Sequence, residues 1–264
     1  MLEAIVLGAI QGIVEWLPLS SEGMTVLAQI HLFGASDLSR AVSLSLFLHL
    51  GTLLAAVVYF RRDIIRLARS LFHWKEVDES TKAFVVFLVI VTIISGVFGF
   101  ALLLSLEYAE AVLTLSARGL TLLIALALLA TSILLWTRRE GFEKRKEKDL
   151  SFLHSLLVGV GQGLSVIPGL SRSGTTISIL LLSRIEERDA LRISFIASIP
   201  LVFAGAIYLA IDGVVVGVEV IVGLIVAFVV GLGTIKLLMK IAKRIDFAAF
   251  VFVFSILMFI ALFI

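Results

Sequence analysis

The sequence predicts an all-α integral membrane protein: six transmembrane helices plus two re-entrant helix hairpins, arranged as an inverted-topology repeat. Three observations lead there. The 264 residues are 60% hydrophobic and only 16% charged, with a mean hydropathy of +1.14, whereas a soluble domain is roughly half apolar and about a quarter charged. The apolar residues form continuous runs rather than alternating ones, which excludes a transmembrane barrel. Nineteen of the 22 Lys and Arg residues lie in four inter-run loops, the asymmetry expected of a polytopic chain.

The first element, residues 1–33, is apolar but is broken near its middle by Pro, Gly and Ser. It is long enough for two half-helices and carries the wrong residues for one, the pattern of a re-entrant hairpin lining a protein cavity. Full spans follow at 41–60, 83–104 and 112–137. Between the first two lies RRDIIRLARSLFHWK (61–75). Its Ile64, Ile65, Ala68, Leu71 and Phe72 recur at helical spacing, with Arg61, Arg62, Arg66 and Arg69 mostly elsewhere on the wheel. This predicts an interfacial helix on an anionic leaflet. Residues 138–149 (RREGFEKRKEKD) are expected to be a solvated loop. The second broken stretch is 151–183, followed by spans at 193–211, 217–238 and 247–264, with Pro200 expected to kink the first of these. The chain is thus a single membrane domain over 1–264, with repeat one at 1–137 and repeat two at 151–264.

Loops 61–82 and 138–149 hold six Lys/Arg each, 184–192 three and 236–246 four, while 34–40, 105–111 and 212–216 hold Arg40 alone. The basic loops share one side only if both broken stretches enter and leave on the same side. By the positive-inside rule that side is cytoplasmic and both termini lie outside. No basic segment precedes the first apolar run, so a cleaved signal peptide is not expected. The chain has no cysteine, which excludes disulfides and thiolate metal sites. It has no Walker phosphate loop to support ATP-driven pumping. The basic runs are too short and too close to the membrane to suggest nucleic-acid binding.

GAIQGIVEWLPLSSEG (8–23) aligns without gaps on GVGQGLSVIPGLSRSG (159–174). Gly8, Gln11, Gly12, Leu19, Ser20 and Gly23 match Gly159, Gln162, Gly163, Leu170, Ser171 and Gly174. Pro18 and Pro168 fall one place apart. Three spans follow each stretch, so the second copy must be inverted and the two breaks meet at mid-membrane. Half-helices starting at Ser20-Ser21-Glu22-Gly23 and Ser171-Arg172-Ser173-Gly174 then point free N–H groups at one place, suited to an anion. Ser171 and Ser173 can cap the helix or donate to a ligand. Arg172 adds a forked, permanently charged donor that fits phosphate, and a phosphate or diphosphate site results. Arg118, the other cation at membrane depth, is close enough to the outer end of its span to snorkel. Among the acids, Glu15 and Glu22 stand at membrane depth. Glu15 shares a face with Gln11. It can ligate a divalent cation, act as a general base, or pair with Arg172. Glu22 complements the dipole of its half-helix.

At these residues the chain resembles the undecaprenyl pyrophosphate phosphatase, or bacitracin-resistance, family. QGIVEWLPLSSEG, LHLGTLLAAVVYFRRDI (48–64), PGLSRSGTTIS (168–178) and RDALRISFIASIP (188–200) carry the resemblance across most of the chain. It implies a cell-membrane hydrolase, its site facing outside. Such an enzyme removes the terminal phosphate of a polyprenyl diphosphate and recycles the lipid carrier for cell-envelope glycan synthesis. It implies a divalent cation, Mg²⁺ or Ca²⁺, and the fold already read from the charges and the repeat. By position it marks Glu15 as an essential acid and cation ligand, Ser21 as nucleophile or phosphate contact, and Arg172 as phosphate clamp. Gln11, Ser20, Ser171, Ser173, Gly174 and Thr176 line the substrate. Two residues depart from the family's pattern: Gln11 replaces a Glu and Met24 replaces a His. Glu22, His49 and Gln162 are the accessory candidates, with Glu22 and His49 the possible substitutes for that His. His31, His73 and His154 look peripheral. The attacking group is Ser21 or a water. Loss of two family residues keeps open a non-catalytic polyprenyl-phosphate carrier or flippase on the same fold. A secondary transporter for a small anion is the remaining alternative. The expected partners are the lipid and the membrane, with a homodimer allowed.

Overall fold

The computed structural model describes residues 1–108, 117–137, 145–167, 170–211, 217–244 and 246–261. Among these the chain is helical, and its one extended pairing is an isolated bridge between Arg145 and Ile185. Pro168, residues 138–144 and the side chain of Arg118 lie outside the described residues.

Helix α1 (Leu2–Val14) stops before the Glu15–Ser20 turn, which contains Pro18. Helix α2 (Ser21–Phe33) starts where the Ser20 hydroxyl accepts from Gly23 N–H. It ends at Gly34, whose φ of 68° is left-handed backbone that glycine adopts without steric cost. Met1, Ala4 and Leu7 line one cavity with Gln29, Phe33 and Gly34, so α2 folds back along α1 as a hairpin. Helices α3 (Leu38–Tyr59), α4 (Arg61–Phe72), α5 (Glu79–Tyr108) and α6 (Ala117–Trp136) follow. The second hairpin is α7 (Phe152–Gly163) and α8 (Arg172–Leu182). Its two outer ends are joined by the Arg145 N–H donating to Arg184 O and the Glu186 N–H to Arg145 O. Helices α9 (Glu187–Ile211), α10 (Val218–Ile241) and α11 (Phe247–Ala261) complete the described chain. α9 continues through Pro200.

Among the described residues four helices, Arg40–Tyr59, Glu79–Ser105, Glu187–Ile207 and Val218–Ile241, are long and apolar enough to cross a membrane. Along α5, Val86, Val89, Ile93, Val97, Phe100 and Leu104 are exposed in one stripe. In water such a stripe would be a large apolar patch; against hydrocarbon it needs no partner. The chain is a multi-pass membrane protein.

The two hairpins pack in a crossed pattern. α1 lies along α10, from the second half of the chain, and α7 lies along α5, from the first. The repeated glycines explain the closeness. A Cβ on Gly8 would lie 2.3 Å from the carbonyl oxygen of Gly223, and one on Gly12 would lie 2.8 Å from the Gly231 nitrogen. Small residues at helical spacing let membrane helices touch backbone to backbone. At the end of this seam the Trp16 indole N–H donates to Gly231 O at 2.9 Å, and its ring meets Phe195 edge-on at 5.2 Å.

The expectation of a solvated loop at 138–149 needs correction at Glu147, which is 7% exposed. Its carboxylate accepts from Arg66 at 3.0 Å and Arg192 at 2.5 Å, and Arg192 also reaches Asp63 at 2.6 Å. The linker therefore clamps α4 to α9. Two guanidiniums at the edge of the bundle need a carboxylate, and the linker supplies one.

Gly8→Ala is expected to destabilise the protein by about 1–3 kcal/mol through overpacking against backbone, read as a lower thermal midpoint in detergent. Gly96→Ala on α5, whose Cβ would meet nothing within 4 Å, is expected to leave the midpoint unchanged or raise it.

Candidate active site

The turns of the two hairpins meet. Ser173 Oγ donates to Leu17 O at 2.7 Å, and Ser171 Oγ donates to Leu19 O at 3.1 Å. The α1–α2 turn exposes carbonyls that no helix uses, and the α8 serines satisfy them. The same Ser171 hydroxyl caps α8 by accepting from Gly174 N–H at 3.0 Å, as Ser20 caps α2 through Gly23 N–H at 3.2 Å. Two helix N-termini thus open at one place, each with leading N–H groups that have no intrahelical acceptor.

Glu15 lies between them and is 5% exposed. Its Oε1 accepts from Nη2 of Arg172. Its Oε2 accepts from Ser21 Oγ at 2.6 Å and from the Gln11 amide at 2.9 Å. The Gln11 amide also reaches Thr52 Oγ1 at 3.4 Å. His49 on α3 brings Nε2 to 3.3 Å from Glu15 Oε2 and 3.4 Å from Ser21 Oγ. Four helices therefore supply one cluster: Gln11 from α1, Ser21 from α2, His49 from α3 and Arg172 from α8, with Glu15 in the turn after α1.

Two polar atoms of the cluster, Nη1 of Arg172 and Oε1 of Gln11, are buried without a hydrogen-bond partner among the described residues. A buried guanidinium N–H without an acceptor is costly, and an anionic oxygen would relieve it. One arm of the Arg172 fork is therefore spent on Glu15 and the other is free for a ligand.

The structure brings together Gln11, Glu15, Ser20, Ser21, Ser171, Arg172, Ser173 and Gly174, with His49. Ser171 and Ser173 spend their hydroxyls on the neighbouring hairpin. Thr176 and Gln162 go elsewhere. The Thr176 hydroxyl is buried against Ser194 Oγ at 2.6 Å, and the Gln162 amide donates to Ser95 Oγ and Ala197 O. Their counterparts clarify why. Thr25 meets Ser45 Oγ at 2.5 Å, so Thr25 and Thr176 each tie the second helix of a hairpin to the helix that follows it. Glu22 lies in the first turn of α2, near Glu15 and His49. Met24 packs against the apolar core. Thr52, which sequence reasoning missed, carries no signal beyond being a hydroxyl one turn from His49.

The residues do not fit a resident divalent cation. Mg²⁺ and Ca²⁺ take six or more oxygens, carboxylates among them. Here the Glu15 carboxylate has both oxygens engaged by donors and its charge matched by Arg172, and Glu22 is the other carboxylate nearby. Among the described residues no group of three or more His, Asp or Glu is placed to hold a metal ion.

Fold and cluster together define a polytopic membrane protein whose reactive polar groups gather where two helix hairpins meet. The chain belongs to the bacitracin resistance protein BacA family, whose model matches residues 4–260. Curated relatives agree. An undecaprenyl-diphosphatase of Methanococcoides burtonii is 42% identical over 255 residues, covering 94% of this chain and 93% of the relative. Those of Haloarcula marismortui and Methanothrix thermoacetophila are 36% and 34% identical, over 97% and 94% of this chain and 94% and 92% of theirs.

Glu15→Gln leaves the Arg172 guanidinium buried without its counter-charge and is expected to cost about 3–5 kcal/mol. Adding Arg172→Gln should restore part of that loss. The check is a double-mutant cycle on thermal or denaturant unfolding in detergent.

Proposed function

We propose that the protein is an integral-membrane phosphatase that hydrolyses a polyprenyl diphosphate, undecaprenyl-like, to the monophosphate, recycling the lipid carrier of cell-envelope glycan synthesis. The observation that carries this reading is the free Nη1 of Arg172 beside the Ser21 hydroxyl and the amino ends of α2 and α8. A terminal phosphate taking that N–H and the leading N–H groups of both helices would lie against Ser21 Oγ. The relatives' shared name, undecaprenyl-diphosphatase, supports the substrate. Arg172 and the helix ends offset the charge on the transferring phosphoryl group, and Ser21 attacks it. Glu15 holds Arg172 and Ser21 in register.

In this reading α1–α2 and α7–α8 are re-entrant, six helices span (α3, α5, α6, α9, α10 and α11), and the halves are an inverted repeat. The crossed pairing of α1 with α10 and α7 with α5 supports it, as do the paired Ser20 and Ser171 caps. The basic loops are cytoplasmic and the site opens outward. Helix α4 lies in the inner interface, with Ile65, Leu71 and Phe72 exposed.

The absence of cysteine makes the topology directly readable. Single cysteines at Lys146 and Gly217 are expected to label with an impermeant maleimide from opposite sides of oriented vesicles, Gly217 from outside. The activity itself is read as phosphate release from undecaprenyl diphosphate with Mg²⁺ or Ca²⁺ by purified protein. Ser21→Ala and Arg172→Ala are each expected to lower kcat about 10²–10³-fold. No release from the wild type, with polyprenyl phosphate still bound, would instead favour the carrier reading.

A further inference from the structure

The Ser21 hydroxyl has two acceptors in reach, and their surroundings differ. Glu15 Oε2, at 2.6 Å, already takes the Gln11 amide, and the other oxygen of the carboxylate holds Arg172. A carboxylate committed to three donors does its work as an anion and makes a poor terminus for a proton. His49 Nε2, at 3.4 Å, is different. The opposite ring nitrogen, Nδ1, lies 2.9 Å from the carbonyl oxygen of Ser45, an atom that only accepts, so Nδ1 carries the ring proton. In the neutral ring Nε2 then carries the lone pair, 3.4 Å from Ser21 Oγ and 3.3 Å from Glu15 Oε2. A proton arriving on Nε2 therefore finds a carboxylate already within hydrogen-bond range.

We propose that His49, reaching in from α3, is the catalytic base and acid for Ser21. The proposal rests on the phosphatase reading above. Ser21 Oγ forms a bond to the terminal phosphorus as the bond from that phosphorus to the bridging oxygen breaks, releasing the polyprenyl monophosphate. The hydroxyl proton passes to His49 Nε2, and the imidazolium is held by Ser45 O on one side and Glu15 on the other. Water then attacks the phosphoserine. Its phosphorus–oxygen bond to Ser21 breaks, the proton on Nε2 returns to Ser21 Oγ, and the water's protons leave with inorganic phosphate. No oxidant or further reactant is needed. Glu15 acts in both halves by stabilising the charged ring.

The experiment compares wild type, His49→Ala and His49→Gln for phosphate release from undecaprenyl diphosphate. It includes added imidazole and a parallel measurement of undecaprenyl phosphate binding. In His49→Gln no group at position 49 can take the proton. Both variants are expected to lose kcat by about a hundredfold or more, with lipid binding within about threefold of wild type. Imidazole is expected to raise the His49→Ala rate by at least about tenfold while leaving His49→Gln unchanged. A near-wild-type kcat in either variant, or matched losses of rate and binding with no response to imidazole, overturns the role of His49 alone. A wild type that releases no phosphate overturns the phosphatase reading and this proposal with it.

Discussion

The ion pair between Glu15 and Arg172 is the constraint from which the rest of the architecture follows. Either charge buried alone is costly, and paired charges still need their remaining hydrogen-bonding capacity filled. Residues 157 positions apart are joined where the turns of the two hairpins meet. Each break frees backbone groups that lipid cannot satisfy. Their satisfaction is visible: Ser171 and Ser173 take the carbonyls of Leu19 and Leu17, and Ser20 and Ser171 take the N–H groups of Gly23 and Gly174. The one arm of the guanidinium left unsatisfied is the arm that the proposed chemistry uses.

Holding two such turns together demands stiff neighbours. The α1–α10 seam provides one, because glycines at 8 and 12 bring the α1 backbone into contact with that of α10 and leave no slack for the hairpin to shift. Trp16 locks the end of that seam through both its N–H and its ring. At the basic edge of the bundle, Arg66, Arg192, Asp63 and Glu147 tie the linker between the halves to α4 and α9. The site is therefore framed by packing on one side and charge pairing on the other, and lipid-facing surfaces such as the α5 stripe contribute little to its geometry.

Much of the candidate cluster was legible in the primary structure because the signals were chemical anomalies. Glu15, Ser21 and Arg172 are polar groups in stretches that should bury only carbon, and each lies beside a helix breaker. Gln162 and Thr176 lie apart from this cluster, because repeated residues need not repeat their partners. Gln162 matches Gln11, yet one amide faces Glu15 while the other serves Ser95 and Ala197. Glu147 was hidden in an alternating charge run, where nothing marks which carboxylate turns inward. His49 was only an accessory candidate, since an isolated histidine in an apolar helix carries no pattern that names its neighbour.

Composition, run length and the placement of Pro, Gly and Ser determined by themselves that this chain is helical, lives in a membrane and breaks twice. Those properties depend on local transfer energies and backbone sterics, which each segment carries with it. The tertiary structure alone decided which helices pack together, that α3 brings an imidazole to Ser21, and that Arg172 divides its two arms between Glu15 and an open position. Such facts are distances between side chains on separate helices, set by how close the glycine seams let those helices come, and no local stretch of sequence encodes them.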